Sequence, residues 1–183
     1  MVGELDSQSW VFVDEMGTHT SLAPLYGYSP RGQRSFFKVS RNRGTNTTLL
    51  ASMGSEGMGP SMAVEGSTTN KVFEAYMEHF LAPTLEQGQV VVMDNLSAHK
   101  GQKVRKLIED SGCQLLYLPP YSPDLNPIEE AFSKIKRLLR LIGARTKKAL
   151  KKALVEAMGK ALDAVSAQDA KGFFAHCGYC GPE

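Results

Sequence analysis

This 183-residue chain contains no apolar run approaching the roughly 20 residues that span a bilayer, which excludes a transmembrane helix from the sequence reading. Its first residues, Met1-Val2-Gly3-Glu4-Leu5-Asp6, are acidic and lack the apolar centre of a secretion signal. Cysteine is scarce. Three residues make no even disulfide framework and fit a reducing, cytoplasmic compartment. Cys177-Gly178-Tyr179-Cys180 is a single C-x-x-C; zinc needs two further ligands, and only His176 is close in sequence. Internal repeats and low-complexity linkers are also missing, so residues 1–183 read as one domain, long enough to bury roughly 70% of its unfolded surface.

The most informative absence is that of negative charge. The net charge is only +2, yet no acid occurs from Met16 to Ser55, a stretch that holds Arg31, Arg34, Lys38, Arg41 and Arg43. None occurs from Ala131 to Val155 either, where Lys134, Lys136, Arg137, Arg140, Arg145, Lys147, Lys148, Lys151 and Lys152 lie. A solvated helix face mixes both signs. Two tracts of one sign point to a polyanionic partner, with the backbone of nucleic acid first in line.

What is present is a set of acids at element ends. Asp14 closes the apolar run Trp10-Val11-Phe12-Val13, and Asp94 closes Val90-Val91-Val92-Met93. Such runs, apolar on both faces, belong to central strands. Further strands are expected at 35–40, 47–53, 61–65 and 113–118, with a glycine-rich loop over 54–60. One helix should start at Thr68, Thr69 or Asn70 and bury Val72, Phe73, Tyr76, Met77, Phe80 and Leu81, ending near Pro83. A second covers 98–110 and ends at Gly112. A third starts at Asn126-Pro127 and buries Ile128, Phe132, Ile135 and Leu139. Helix resumes from about Thr146 to Val165, and the tail from Gly172 reads as short and mixed. Strand-helix-strand connections of this length are parallel and right-handed.

Acids at the carboxyl ends of parallel strands face the crevice where open sheets bind ligands. Two unit charges 4 Å apart repel by about 4 kcal/mol at an effective dielectric near 20. A divalent cation is the natural compensation, and metal held by carboxylates breaks and joins phosphodiesters. Each acid also has a structural reading. A strand-end aspartate can cap the next turn, and Glu129 occupies the capping-box position behind Asn126. Glu130 competes with Glu129, but Lys134 lies four residues on, in the orientation of a solvated pair, so Glu129 is the acid expected to face the site. Glu15, on the opposite face of its strand from Asp14, reads as structural.

Val91-Val92-Met93-Asp94-Asn95-Leu96-Ser97-Ala98-His99-Lys100 and Leu118-Pro119-Pro120-Tyr121-Ser122-Pro123-Asp124-Leu125-Asn126-Pro127-Ile128-Glu129 resemble the second- and third-acid motifs of the mariner superfamily of DDE transposases, in its bacterial insertion-sequence branch. Thirty-four residues separate Asp94 from Glu129, in agreement with that pattern. Val13-Asp14-Glu15, followed by Tyr28-Ser29-Pro30-Arg31-Gly32, resembles the first-acid motif and its downstream loop; Tyr28 and Phe132 stand where the family often has Trp. The resemblance implies an α/β, ribonuclease-H-like fold: a mixed sheet of three N-terminal antiparallel strands and two parallel strands, with flanking helices. It implies metal-dependent cleavage and strand transfer of DNA with two Mg²⁺ or Mn²⁺ ions, Asp14 bridging them and Asp94 and Glu129 holding one each. Arg31, Arg34, Arg41, Arg43, His99, Lys134, Lys136, Arg137 and Arg140 become candidate phosphate contacts that position DNA without reading its bases.

The family also carries paired helix-turn-helix modules ahead of its catalytic core, and Asp14 leaves no room for them here. The expectation is a catalytic half that acts as a homodimer, either joined to a DNA-binding half from a separate reading frame or left as a truncated remnant. An orphan core that binds DNA or pairs with full-length transposase without cutting is the competing expectation.

Overall fold

In β1 (Trp10–Thr18), Trp10, Phe12 and Met16 alternate with Val11 and Val13, so two apolar sets leave opposite faces of one strand. The computed structural model describes residues 9–19, 26–36, 46–96, 99–142 and 150–179. β1 pairs antiparallel with β2 (Thr47–Gly54), which pairs antiparallel with β3 (Gly57–Glu65). On its other edge β1 pairs parallel with β4 (Val90–Met93), and β4 with β5 (Gln114–Tyr117). The strand order is β3-β2-β1-β4-β5, the mixed sheet of a ribonuclease-H-like fold. β1 and β4 are therefore interior, as their apolar composition requires.

Helices cover both faces. α1 (Asn70–Tyr76) and α2 (Gln102–Asp110) bury Phe73, Tyr76, Val104 and Ile108 against Val13, Val91 and Met93. On the opposite face α3 (Pro127–Ile142), α4 (Leu150–Asp163) and α5 (Ala167–His176) bury Ile128, Phe132, Ile135, Met158 and Phe174 against Phe12, Met16 and Val92. Asp14 shares its strand face with Phe12 and Met16, so its carboxyl points toward the start of α3. No helix among the described residues is long and apolar enough to cross a membrane.

Several expectations are corrected. The segment 54–60 is mostly strand. Ser55 and Glu56 form a tight turn, and β3 starts at Gly57. Two local features favour this: Gly57 takes φ 127°, and a Cβ on Gly59 would meet the Ser52 hydroxyl at 2.5 Å. As an edge strand β3 also tolerates Pro60. Ser35 and Phe36 are exposed and lie in no strand, while the remainder of the expected 35–40 strand lies outside the described residues. Thr69, of the three candidate caps, accepts from the Val72 amide. Beyond Tyr76 the chain widens into a π-helical turn, Met77–Leu81, and the extra residue rotates Phe80 to the surface at 42% exposure. The second helix starts only at Gln102; ahead of it the His99 amide donates to the Leu96 carbonyl. Finally, the tail is not irregular. α5 is set off by a capping box between Ser166 and Asp169 that is visible in the sequence as Ser-x-x-Asp.

Phe132 is fully buried between α3 and the sheet. Phe132→Ala should destabilise the fold by about 3–5 kcal/mol, read from equilibrium urea unfolding monitored by circular dichroism.

Candidate active site

The carboxyl ends of β1 and β4 and the start of α3 converge on one cleft of about 470 Å³. Asp14, Asp94, Asn126 and Glu129 line it together with Leu96 and the loop from Leu118 to Pro123. The sheet alone explains the first two acids: β1 and β4 are parallel neighbours in register, Val13 opposite Met93, so the residues that follow emerge side by side. The third depends on the turn Pro123–Leu125 and on Pro127, which carry the chain from β5 back over the cleft and start α3 there.

Asp14 is 5% exposed. Its Oδ1 accepts from the Glu15 amide at 2.6 Å, and its Oδ2 accepts from the Asn126 side-chain amide at 2.8 Å. Its pKa stands at about 7, raised above all by burial and then by the negative charges of Glu129 and Asp94; the Glu15 amide and His99 act in the opposite sense. Asn126 thus has a partner outside its own helix. Its amide ties the start of α3 to β1, a role that sequence reading missed because only the folded topology brings the two residues together.

Asp94 is held from a different side. Its Oδ1 meets His99 Nδ1 at 2.5 Å and accepts from the Leu96 amide at 3.1 Å. His99 is fully buried, stacks on Phe73 at 4.2 Å between ring centroids, and has its carbonyl held by the Tyr117 hydroxyl. The expectation of a phosphate contact at His99 is therefore corrected: no part of its ring reaches solvent, and it orients Asp94 instead. Glu129, half-buried, faces the cleft. Glu130 faces away, but its partner is His176 rather than Lys134, and the pairing raises the His176 pKa. Lys134 reaches Asp169 at 2.6 Å, which with Ser166 lowers that carboxyl to about 2. Lys134 thereby joins α3 to α5 and is not a free phosphate contact.

Of the other cations, Arg31, Arg34 and Arg137 are exposed, and Lys136 and Arg140 are half-buried. Arg41 and Arg43 lie outside the described residues, as does Cys180. Burial pushes the Cys177 thiol up to about 11, which leaves it protonated. Behind the third-acid turn the Tyr179 hydroxyl donates to the Leu125 carbonyl at 2.7 Å. This clasp from the C-terminal segment was not foreseen. The arrangement as a whole presents oxygen donors of high negative charge density in a cleft open on one side. Among the described residues no three Asp, Glu, His or Cys side chains stand close enough to share one ion.

Comparison with known proteins agrees with this geometry. The family described as DDE superfamily endonuclease matches residues 9–151. The transposable element Tcb1 transposase of Caenorhabditis briggsae is 33% identical over 110 residues, which cover 57% of this chain and 40% of that protein. The fold superposes on the Mos1 strand transfer complex with a TM-score of 0.74 at 17% identity, covering 93% of this chain and 52% of the other. The Mos1 mariner paired end complex with Mg gives 0.69 at 20% identity, with 94% and 54% covered. The chain spans about two fifths of the curated relative and about half of these solved chains. With the matched segment taking in the five-stranded sheet, the whole cleft and α3, this chain belongs to the DDE superfamily endonuclease family.

Proposed function

We propose that this chain is the catalytic core of a DNA transposase of the bacterial insertion-sequence branch, cutting phosphodiesters and joining DNA 3′-hydroxyls to target strands. The observation that carries the proposal is the meeting of Asp14, Asp94 and Glu129 in one cleft, with the Asp14 carboxyl raised to about 7 partly by the other two acids. A site that stores mutual repulsion of this kind gains when a cation enters. Carboxylate oxygens suit Mg²⁺ or Mn²⁺. The donor chemistry fits, while among the described residues no three of these side chains stand close enough to share one ion. When bound, a metal pair stabilises charge on the phosphoryl oxygens and lowers the pKa of an attacking water.

The protein's own residues divide the remaining work. Asp14, Asp94 and Glu129 hold the cations. Asn126 fixes the Asp14 Oδ2 direction, and His99 with the Leu96 amide fixes Asp94. Arg31, Arg34, Lys136, Arg137 and Arg140 position the DNA backbone. The nucleophile is water for cleavage and a 3′-hydroxyl for joining, attacking in line with the bond that breaks. The solved Mos1 structures include a paired end complex with Mg and a strand transfer complex, which supports the same reading here; action as a homodimer is part of the proposal. A DNA-binding half, encoded ahead of this core or in a separate frame, would supply recognition of element ends.

Asp94→Asn should leave the fold intact and cut Mn²⁺-dependent nicking of supercoiled plasmid by more than about 100-fold; nicking at the parental rate would refute the assignment. His99→Phe keeps the stack on Phe73 but removes the donor to Asp94. It should weaken Mn²⁺ binding, followed by calorimetric titration, by about 10- to 100-fold with little change in melting temperature.

Asp14 also predicts a pH dependence. Unfolded, its carboxyl titrates near 3.8; folded, near 7. Between those values the folded chain keeps a proton that the unfolded chain releases, so stability falls as pH rises through this window. About three decades of proton affinity at about 1.4 kcal/mol each set an upper limit of roughly 4 kcal/mol. Chelated protein should therefore become less stable from pH 4 to pH 7 in denaturant titrations. Asp14→Asn should flatten that slope, and Mn²⁺ should oppose it in the parent.

A further inference from the structure

Tyr121 is the one non-glycine residue with a left-handed backbone among the described residues, at φ 58°. For an L-residue with a bulky side chain this conformation is sterically strained. Nothing among the described residues offsets that strain. The side chain is fully exposed (102%), and among the described residues its ring makes no aromatic contact and its hydroxyl no hydrogen bond. Glycine would adopt the same turn without strain. Folding therefore gives no reason for an aromatic residue here.

The surroundings do give one. Pro119, Pro120 and Pro123 restrict the loop on both sides, so the backbone that carries the ring has little conformational freedom. Tyr121 lines the cleft that holds the three acids, and so does Leu96, itself 47% exposed. The exposed part of the lining thus carries the apolar Tyr121 and Leu96, while the acids, with Asp14 buried, lie in the same cleft. A ligand that fits both has a phosphodiester for the acids and, attached to it, a planar ring for the exposed apolar part. Bases inside a duplex already have both faces covered by their neighbours. Only a nucleotide lifted out of the stack offers a free face to an aromatic side chain.

We infer that Tyr121 is a stacking platform for an unpaired nucleobase adjoining the phosphodiester bound in the cleft. This inference rests on the function proposed above. The test uses the full chain with Ca²⁺ and two probes: a blunt duplex, and a duplex with a short 3′ single-stranded tail carrying 2-aminopurine at its first unpaired position. The parent and Tyr121→Phe should quench the 2-aminopurine fluorescence. Tyr121→Ala and Tyr121→Gly should lose the quenching and bind the tailed probe roughly 10-fold more weakly, with affinity for the blunt duplex unchanged. Tyr121→Gly should melt no lower than the parent, which separates loss of the ring from damage to the fold. Equal quenching and affinity in Tyr121→Ala and the parent would overturn the stacking role alone. Failure of every form, parent included, to bind either probe would overturn the proposed function and this role with it.

Discussion

The buried hydrogen bond from the Asn126 amide to Asp14 is the contact on which the cleft depends. It joins the middle of the sheet to the start of α3, across more than a hundred residues of sequence. Asp14 could not stay on a central strand at 5% exposure without partners, because a carboxyl removed from water loses most of its hydration. Two donors, the Glu15 amide and the Asn126 amide, replace part of it. Through Asn126, three residues before Glu129, the same bond ties the start of α3 to the strand that carries Asp14. Burial still outweighs these donors, and the carboxyl sits near 7. The site is thus assembled under electrostatic stress that its own hydrogen bonds do not fully relieve, and an entering cation would relieve it.

Asp94 shows a second way of fixing an acid. Its side chain is 31% exposed, and its orientation comes from a histidine packed into the apolar layer beneath α1. Position and access are therefore supplied by different elements. β4 places the backbone of Asp94, while His99, held by Phe73 and the Tyr117 hydroxyl, orients its side chain. A direct phosphate contact would need His99 at the surface. The structure spends it in the interior, where its ring meets the Asp94 carboxylate.

The legible parts of the chain were those whose signal is local. Val90-Val91-Val92-Met93 and Trp10-Val11-Phe12-Val13 could only be interior strands, Thr69 was among the three named caps, and Asn126-Pro127 opened α3 as expected. Readings failed where two local rules competed or where a long-range contact decided. Glycine and proline over 54–60 suggested a loop, but an edge strand accepts both. The apolar stripe through Phe80 assumed an unbroken 3.6-residue period, which a π-helical turn shifted. The pair Glu130–Lys134 obeyed the helix-surface rule, yet each residue found a partner on α5. The convergence of the acids was inferred from the ends of elements, whereas the roles of Asn126 and His99 in orienting them needed coordinates.

The lost Glu130–Lys134 pair leads to the part played by α5. Two surface ion pairs, Lys134–Asp169 and Glu130–His176, cross from α3 to α5, and exposed pairs of this type contribute little stability each. The weight lies beneath them. Phe174 and Tyr179 pack on Phe12 and Trp10 of β1 in a cluster of tilted and edge-on rings, and from it the Tyr179 hydroxyl reaches the carbonyl of Leu125. The ion pairs then select how α3 and α5 align, and the aromatic cluster anchors α5 to the same strand that carries Asp14. This brace answers a geometric conflict. A cleft that takes the proposed DNA substrate must stay open on one side, so the loop and helix that bring Glu129 cannot be held from the front. They are held from behind, through a segment that carries none of the three acids yet fixes the distance between the first and the third.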